Sequence, residues 1–440
     1  MKLFRKKAPL DKKVYHFEGE GELKGKRFHL RVDGEDKGVL IIDASRMLIL
    51  NGTGVLFAYN ILKGENDSRI IRNVRKHYRV SRKRALEDLG KFKEEINGLI
   101  RGKELISGEM QDLSELYRDQ TAPYRMDLAL TYRCNNDCGH CYNERGESKE
   151  LTTDQWKGVL DKLWDRGIPH VVFTGGEPTL REDLPDLIGH AERSGQITGL
   201  NTNGRRLGDV NYLNGLLDSG LDHIQITLGS HIDSTHDEIT GKKGSYKQTL
   251  AGIKNVLNSD IYLVTNTTIM ESNRKEVTDT IEFLRELGVE HIAVNSLIRS
   301  GKGKDAKGVE VRDLEKILRK GKTSGALNGF EFRWYTPTPY CMLNPTELGL
   351  GVKQCTACKL NMAIEPDGGV IPCQSFYKPL GNILSEDFEK IWNKKLCRDI
   401  REGRLVPDDC RSCDLFSVCG GGCPLSWKSG DYVCTDVLSS

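Results

Sequence analysis

Cys134, Cys138 and Cys141 stand together in the stretch Arg133-Cys-Asn-Asn-Asp-Cys-Gly-His-Cys-Tyr142. Gaps of three and two residues let three thiolates turn toward one inorganic centre. That demand fixes the path of the loop whatever surrounds it. Thiolates are the usual ligands of iron–sulfur clusters, and a 4Fe–4S cluster has four irons. Three local thiolates therefore leave one iron open to a ligand from outside the protein. The stretch follows an apolar run, Met126 to Leu130, that reads as a strand. The centre would then sit at a strand's carboxyl end. The competing reading is a zinc site that takes His140 as a further donor, and it has to be weighed against the pattern downstream.

From residue 121 to about 300, strand-like and helix-like stretches alternate. Strands are expected at Met126–Leu130, His170–Phe173, Ile197–Asn201, His223–Leu228, Tyr262–Thr267 and His291–Asn295. Helices are expected between them, for example Asp154–Trp164, Val210–Ser219, Gln248–Asn258 and Arg274–Leu287. Alternation of this kind predicts an α/β fold with a parallel sheet and helical crossovers. Ligands of such sheets gather at the carboxyl ends of the strands. The motif Thr174-Gly175-Gly176-Glu177-Pro178 follows the second strand. Its glycines allow close backbone approach to a ligand, and Glu177 offers a carboxylate to an amine. Asn201-Thr202-Asn203-Gly204 ends the third strand and Gln225-Ile226-Thr227-Leu228 the fourth. Each of these is also readable as an ordinary turn or strand-end cap.

Taken together, the cysteine loop, the Gly-Gly-Glu-Pro motif and the polar strand ends resemble the radical S-adenosylmethionine (SAM) superfamily. The resemblance implies a partial (β/α)6 barrel. It implies that Cys134, Cys138 and Cys141 hold a 4Fe–4S cluster whose open iron binds SAM, which is cleaved to a 5′-deoxyadenosyl radical. It also implies SAM contacts from Gly175, Gly176 and Glu177 to the amino group and from Thr202, Asn203 and Thr227 to the carboxylate and ribose. Tyr142 stands where that family places a residue against adenine.

Ten of the thirteen cysteines lie beyond residue 340. Cys410-x2-Cys413-x5-Cys419-x3-Cys423 is followed by Cys434, and Cys355 and Cys358 precede Gly368-x4-Cys373. Paired Cys-x2-Cys also suits zinc. The whole pattern resembles the SPASM domain of radical SAM maturases, which implies two auxiliary 4Fe–4S clusters and three clusters in all. One set implied is Cys410, Cys413, Cys419 and Cys434. The other is Cys373 and Cys423 with two of Cys341, Cys355 and Cys358; Cys341 and Cys355 are preferred. Cys397, on a helix expected from Phe388 to Arg401, reads as a buried structural thiol.

Residues 1–105 contain no cysteine and read as a separate small domain. Short strands at Val39–Ile42 and Met47–Leu50 precede a helix capped by Asn51 and running to Leu62. Two more helices are expected at Ser68–Tyr78 and Ser81–Leu99. This is a small winged-helix-like α+β domain. The run from Gly38 through Ala44 to Leu50-Asn51-Gly52-Thr53-Gly54 resembles the PqqD-like precursor-recognition domain. That resemblance implies capture of a leader peptide as an added strand at a sheet edge, where residues such as Ile41 are expected. Eight basic residues and no acidic one lie between Ser68 and Arg84. The run suits an acidic leader, a solvated face, or nucleic-acid phosphates.

Composition bounds the rest. Net charge of +2 argues against a polyanionic partner for the whole chain. No apolar run reaches membrane-spanning length, and no signal-like apolar segment follows the basic Met1–Lys13. Thirteen cysteines in such a chain point to a reducing cytoplasm and to metal binding. The expected organisation is a peptide-recognition domain over 1–105, a linker over 106–120, the barrel over 121–320 and the SPASM domain over 321–440. The expected activity is radical crosslinking of a ribosomally made precursor peptide, by a thioether or carbon–carbon bond, with a reductant such as ferredoxin or flavodoxin as partner. The alternatives are a SPASM maturase of a folded protein, sulfatase-type, or of a small cofactor precursor, and a redox-responsive DNA-binding protein.

Overall fold

The computed structural model describes residues 10–19, 23, 26–34, 37–43, 46–100, 120–144 and 149–430. The described chain divides into two units. One holds the residues up to Tyr124 together with Asp161–Pro169, and the other holds Arg125–Leu160 and everything from His170 onward. Apart from Gln120, the expected linker lies outside the described residues, as does Cys434.

The first unit opens with an antiparallel meander of four strands, β1 (Val14–Glu18), β2 (Arg27–Val32), β3 (Lys37–Ile42) and β4 (Arg46–Asn51). The first two strands are additional to the two expected. His16, His29 and Arg31 interrupt their apolar runs and hide the period of two. Three helices follow: α1 (Gly52–Leu62), α2 (Asp67–His77) and α3 (Arg82–Ile100). Asn51 caps α1 as expected, its Oδ1 accepting from Gly54 N at 2.9 Å. Phe28, Leu30, Leu40 and Ile42 of the sheet share a core with Leu56, Ile70 and Leu89 of the helices. Burial of these side chains is the main stabilising term of so small a unit. Ile41 is not at an edge. Its strand β3 is paired on both sides, and Ile41 is buried. On the outer strand β4, Met47 and Ile49 are 40% and 47% exposed. Arg31 is buried and donates through Nε to Asp33 Oδ1 at 2.6 Å, and through its other nitrogens to the carbonyls of Ala122 and Pro123. All eight basic side chains between Ser68 and Arg84 are exposed. Arg69 pairs with Glu65, and Arg84 with Asp88.

The second unit is built on parallel strands β5 (Arg125–Thr131), β6 (His170–Gly175), β7 (Ile197–Thr202), β8 (His223–Thr227), β9 (Tyr262–Ile269) and β10 (His291–Ser296). All six expected strands form, each within a residue or two of its expected limits. A seventh parallel strand, β11 (Glu331–Trp334), extends one edge. At the other edge β12 (Asn361–Ile364) runs parallel to β5, followed by antiparallel β13 (Gly369–Ile371) and β14 (Gly381–Asn382). The helices between the strands are α4 (Thr153–Asp165), α5 (Leu184–Ser194), α6 (Val210–Asp218), α7 (Asp233–Thr240), α8 (Ser245–Leu257), α9 (Val277–Glu286) and α10 (Val311–Asn328). The helix expected over Phe388–Arg401 is two helices, α11 (Phe388–Trp392) and α12 (Lys395–Arg401). Asn393 ends the first by donating from Nδ2 to Glu389 O, and Lys394 then takes extended backbone. Among the described residues, no helix is long and apolar enough to cross a membrane.

Candidate active site

Cys134, Cys138 and Cys141 follow β5 directly, and each is partly exposed. Backbone and asparagine groups of their loop are tied to the neighbouring segments. Asp137 N and Gly139 N donate to Thr240 O and Ile239 O at the end of α7, and Gly303 N donates to Cys141 O. Arg205, just past β7, donates to Asn135 O and Asn136 Oδ1, while Asn203 Nδ2 donates to Asn135 Oδ1 at 2.7 Å. Asn136 N points at the Cys134 sulfur at 3.4 Å. Among the described residues, no three Cys, His, Asp or Glu side chains gather tightly enough for a single ion. A 4Fe–4S cluster takes its thiolates one to each iron, and three thiols on one partly exposed loop suit that donor set.

The Thr174–Pro178 motif lies beside this loop. Gly175 has φ +133°, and a Cβ there would meet Thr131 O at 2.2 Å; one at Gly176 would meet Arg133 O at 2.4 Å. Both positions require glycine because the motif is stitched to the chain after β5, through Gly176 N to Thr131 O and Glu177 N to Arg133 O. Glu177 is fully buried. Its Oε1 accepts from Thr179 N, Thr179 Oγ1 at 2.6 Å and Thr202 Oγ1 at 2.7 Å, and its Oε2 from Asn203 N at 2.8 Å. Burial pushes its carboxyl above the usual range, and these four donors pull it back. The carboxylate is therefore already satisfied within the protein, and it locks the ends of β6 and β7 together. Thr227, at the end of β8, is partly exposed. Beyond it, Asn266 of β9 donates to Asn295 of β10 at 2.9 Å. These two asparagines, missed in the sequence, extend the polar ring of strand ends; asparagine in mid-strand was the available signal.

The model for the radical SAM superfamily matches residues 128–284, and that for the SPASM iron–sulfur cluster-binding domain matches residues 355–414. The chain thus carries a radical SAM domain and a SPASM domain, the make-up of an enzyme. Radical SAM domains bind a 4Fe–4S cluster and SAM, and SPASM domains bind further iron–sulfur clusters. The chain is 27% identical to the AdoMet-dependent heme synthase of Methanosarcina barkeri over 71% of this chain and 95% of that protein. It is 28% identical to the PqqA peptide cyclase of Rhizobium meliloti over 72% of this chain and 86% of that one. In fold it is similar to Streptococcus suis SuiB bound to precursor peptide SuiA, with TM-score 0.68 and 18% identity, covering 97% of this chain and 100% of that one.

Within the SPASM region the thiols come from separate segments. Cys355 and Cys423 lie close enough to push the Cys373 thiol up, and Cys355 does the same to Cys423; burial is the larger cause, raises Cys355 as well, and takes Cys423 up to about 12. Cys358 takes a different direction. It has φ +52°, and its sulfur lies 2.6 Å from that of Cys397 on α12, both fully buried, with Cys373 near enough to add to its upward shift. Cys397 is thus the buried thiol expected, and Cys358 is its neighbour. Cys341 is exposed, Cys410 partly exposed and Cys413 exposed. Cys419 is buried and accepts from Tyr340 N at 3.3 Å, and Cys413 is near enough to add to its upward shift, which burial dominates. Gly420, Gly421 and Gly422 carry the chain from Cys419 to Cys423 with φ of 64°, 73° and 76°; a Cβ at Gly422 would meet the Pro339 backbone at 2.8 Å.

Joining the two regions are Tyr142, expected near adenine, and three side chains that sequence reasoning missed, Asn143, Gln374 and Tyr377. Tyr142 OH donates to Gln374 Oε1 at 3.0 Å, and Tyr377 OH donates to Asn143 Oδ1 at 3.1 Å. Asn143 Nδ2 donates to Gly175 O at 2.6 Å.

Proposed function

We propose that this enzyme matures a ribosomally made precursor peptide by closing a thioether or carbon–carbon crosslink. When bound, the cluster and SAM supply the reductive cleavage that yields a 5′-deoxyadenosyl radical. Cys134, Cys138 and Cys141 would hold that cluster. Gly175 and Gly176 would let the backbone approach the SAM amino group. Glu177, satisfied internally, would act by holding Thr202 and Asn203 in place for the SAM carboxylate and ribose, with Thr227 beside them and Tyr142 near adenine. Cys341, Cys355, Cys373 and Cys423 would hold one auxiliary cluster, and Cys410, Cys413, Cys419 and Cys434 the other, for three 4Fe–4S clusters per chain. A ferredoxin- or flavodoxin-type protein would supply the electron.

The observation that carries the peptide reading is the first unit. A radical SAM barrel does not need a separate four-stranded sheet whose outer strand β4 exposes Met47 and Ile49. Such an edge suits an extended peptide that adds as a further strand. The likeness to peptide-bound SuiB spans nearly the whole chain, and the PqqA peptide cyclase is among the relatives. The test is to incubate reconstituted enzyme with SAM, a strong reductant and short peptides encoded beside its gene, and to follow the peptide by mass spectrometry. The expected outcome is loss of two hydrogens, one leaving in 5′-deoxyadenosine and one as a proton with an electron. Met47→Asp should slow this without changing iron content. The heme synthase relative favours a second reading, maturation of a small cofactor precursor. Turnover of a tetrapyrrole with no modified peptide would establish it instead.

A further inference from the structure

Three segments far apart in the sequence meet in one small polar knot. The cysteine loop contributes Tyr142 and Asn143, the end of β6 contributes Thr174 and Gly175, and the segment after Cys373 contributes Gln374 and Tyr377. Tyr142 OH donates to Gln374 Oε1 at 3.0 Å, and Thr174 Oγ1 reaches the same oxygen at 3.5 Å. Tyr377 OH donates to Asn143 Oδ1 at 3.1 Å, and Asn143 Nδ2 donates in turn to Gly175 O. Asn143, Thr174, Gly175, Gln374 and Tyr377 line a cavity of about 10 Å³, room for about one water. Tyr142 follows a cysteine of the radical-cluster loop, and Gln374 follows a cysteine of the SPASM region.

We propose that Gln374 and Tyr377 are positioning residues for SAM: they latch Tyr142 and Asn143, so that the SPASM segment sets the shape of the SAM pocket. The proposal rests on SAM binding beside Tyr142. A tyrosine next to a cluster ligand has a fixed Cα but a free χ1, and the ring position is decided by what its hydroxyl bonds to. Gln374 supplies such a partner at 3.0 Å, with Thr174 beside it. Asn143 is likewise held at both ends of its amide, one end on Tyr377 and the other on Gly175, a glycine of the motif. Occupancy and order of the SPASM segment would then be felt in SAM affinity without any SPASM side chain touching SAM.

The experiment measures SAM dissociation constants by equilibrium dialysis on reconstituted enzyme, with iron content and the electron paramagnetic resonance signal of the reduced radical cluster on adding SAM as further readouts. Gln374→Ala should weaken SAM binding about threefold to tenfold, the range for one lost net hydrogen bond, with iron content unchanged. Tyr142→Phe keeps the ring and removes the same bond, so it should weaken binding by a similar factor. The double variant should be no weaker than the worse single variant, because both remove one interaction. Gln374→Glu keeps an acceptor for the Tyr142 hydroxyl and should restore most of the affinity. Wild-type affinity in Gln374→Ala or Tyr142→Phe, or fully additive losses in the double variant, would overturn the latch. A wild-type chain that binds no SAM would overturn the SAM-pocket reading and the latch with it; binding in the wild type with unchanged variants removes the latch alone.

Discussion

The two cysteine regions solve the same chemical problem in opposite ways. The first places three thiols on one short, partly exposed loop and fixes that loop through backbone bonds to Thr240, Ile239 and the Arg205 side chain. The second draws its thiols from separate segments, Cys341, Cys355, Cys373 and Cys410–Cys423, and brings Cys355 and Cys423 close to Cys373 while Cys341 and Cys413 stay exposed. A centre that must admit a ligand needs open approach, and a loop rigidified from behind leaves its front free. A centre enclosed by chain segments exchanges its ligands slowly and staples those segments together, as metal sites coupled to folding do.

The strongest way to break this contrast is to change Cys134, Cys138 and Cys141 to Ala together. SAM cleavage should vanish and about four irons per chain should be lost, while the SPASM irons stay. Release of 5′-deoxyadenosine by that variant would contradict the assignment. Cys373→Ala should act next most strongly. It should remove about four irons of the SPASM region and lower the melting temperature, yet leave the electron paramagnetic signal of the radical cluster. If that signal disappears as well, the two regions are one folding unit. Glu177→Gln puts an amide where Thr179, Thr202 and the Asn203 N–H all donate. Loss of charge-assisted bonds worth about 1.5–3 kcal/mol each should reduce SAM affinity about tenfold or more. Equal SAM affinity would show that the lock between β6 and β7 does not govern the pocket. The smallest effect is expected from Cys397→Ala, which should leave iron content unchanged and destabilise by about 1–2 kcal/mol. Iron loss there would make Cys358 and Cys397 ligands and redraw the SPASM site.

What was legible in the sequence was local. Six parallel strands, the cysteine loop and the Gly-Gly-Glu-Pro turn each carry their signal within a few residues. What was hidden depends on partners far away. Gln374 and Tyr377 gain their meaning from Tyr142 and Asn143, and no spacing rule connects them. Cys355 and Cys358 both fit the spacing to Gly368; that the Cys358 sulfur lies against Cys397, on a distant helix, is visible only in the fold. Ile41 sits among apolar residues in a way that suits an edge or a centre equally. The two strands before it, broken by His and Arg, decide that it lies inside the sheet.

The pairing of β12 with β5 has a consequence for how the protein is made. β5 is the first strand of its unit to leave the ribosome, and it carries the loop that must receive the inorganic cofactor. One of its edges is closed only by Asn361–Ile364, in register with Arg125–Leu128. Until that later stretch has been synthesised, the strand offers unpaired N–H and C=O groups to any passing chain. Pairings this distant in sequence form late and slowly. The nascent enzyme therefore passes through an interval in which an adhesive strand edge and reactive thiols are exposed side by side. Slow translation between the two strands would lengthen it, and a chaperone that covers a bare strand edge would protect the thiols as well.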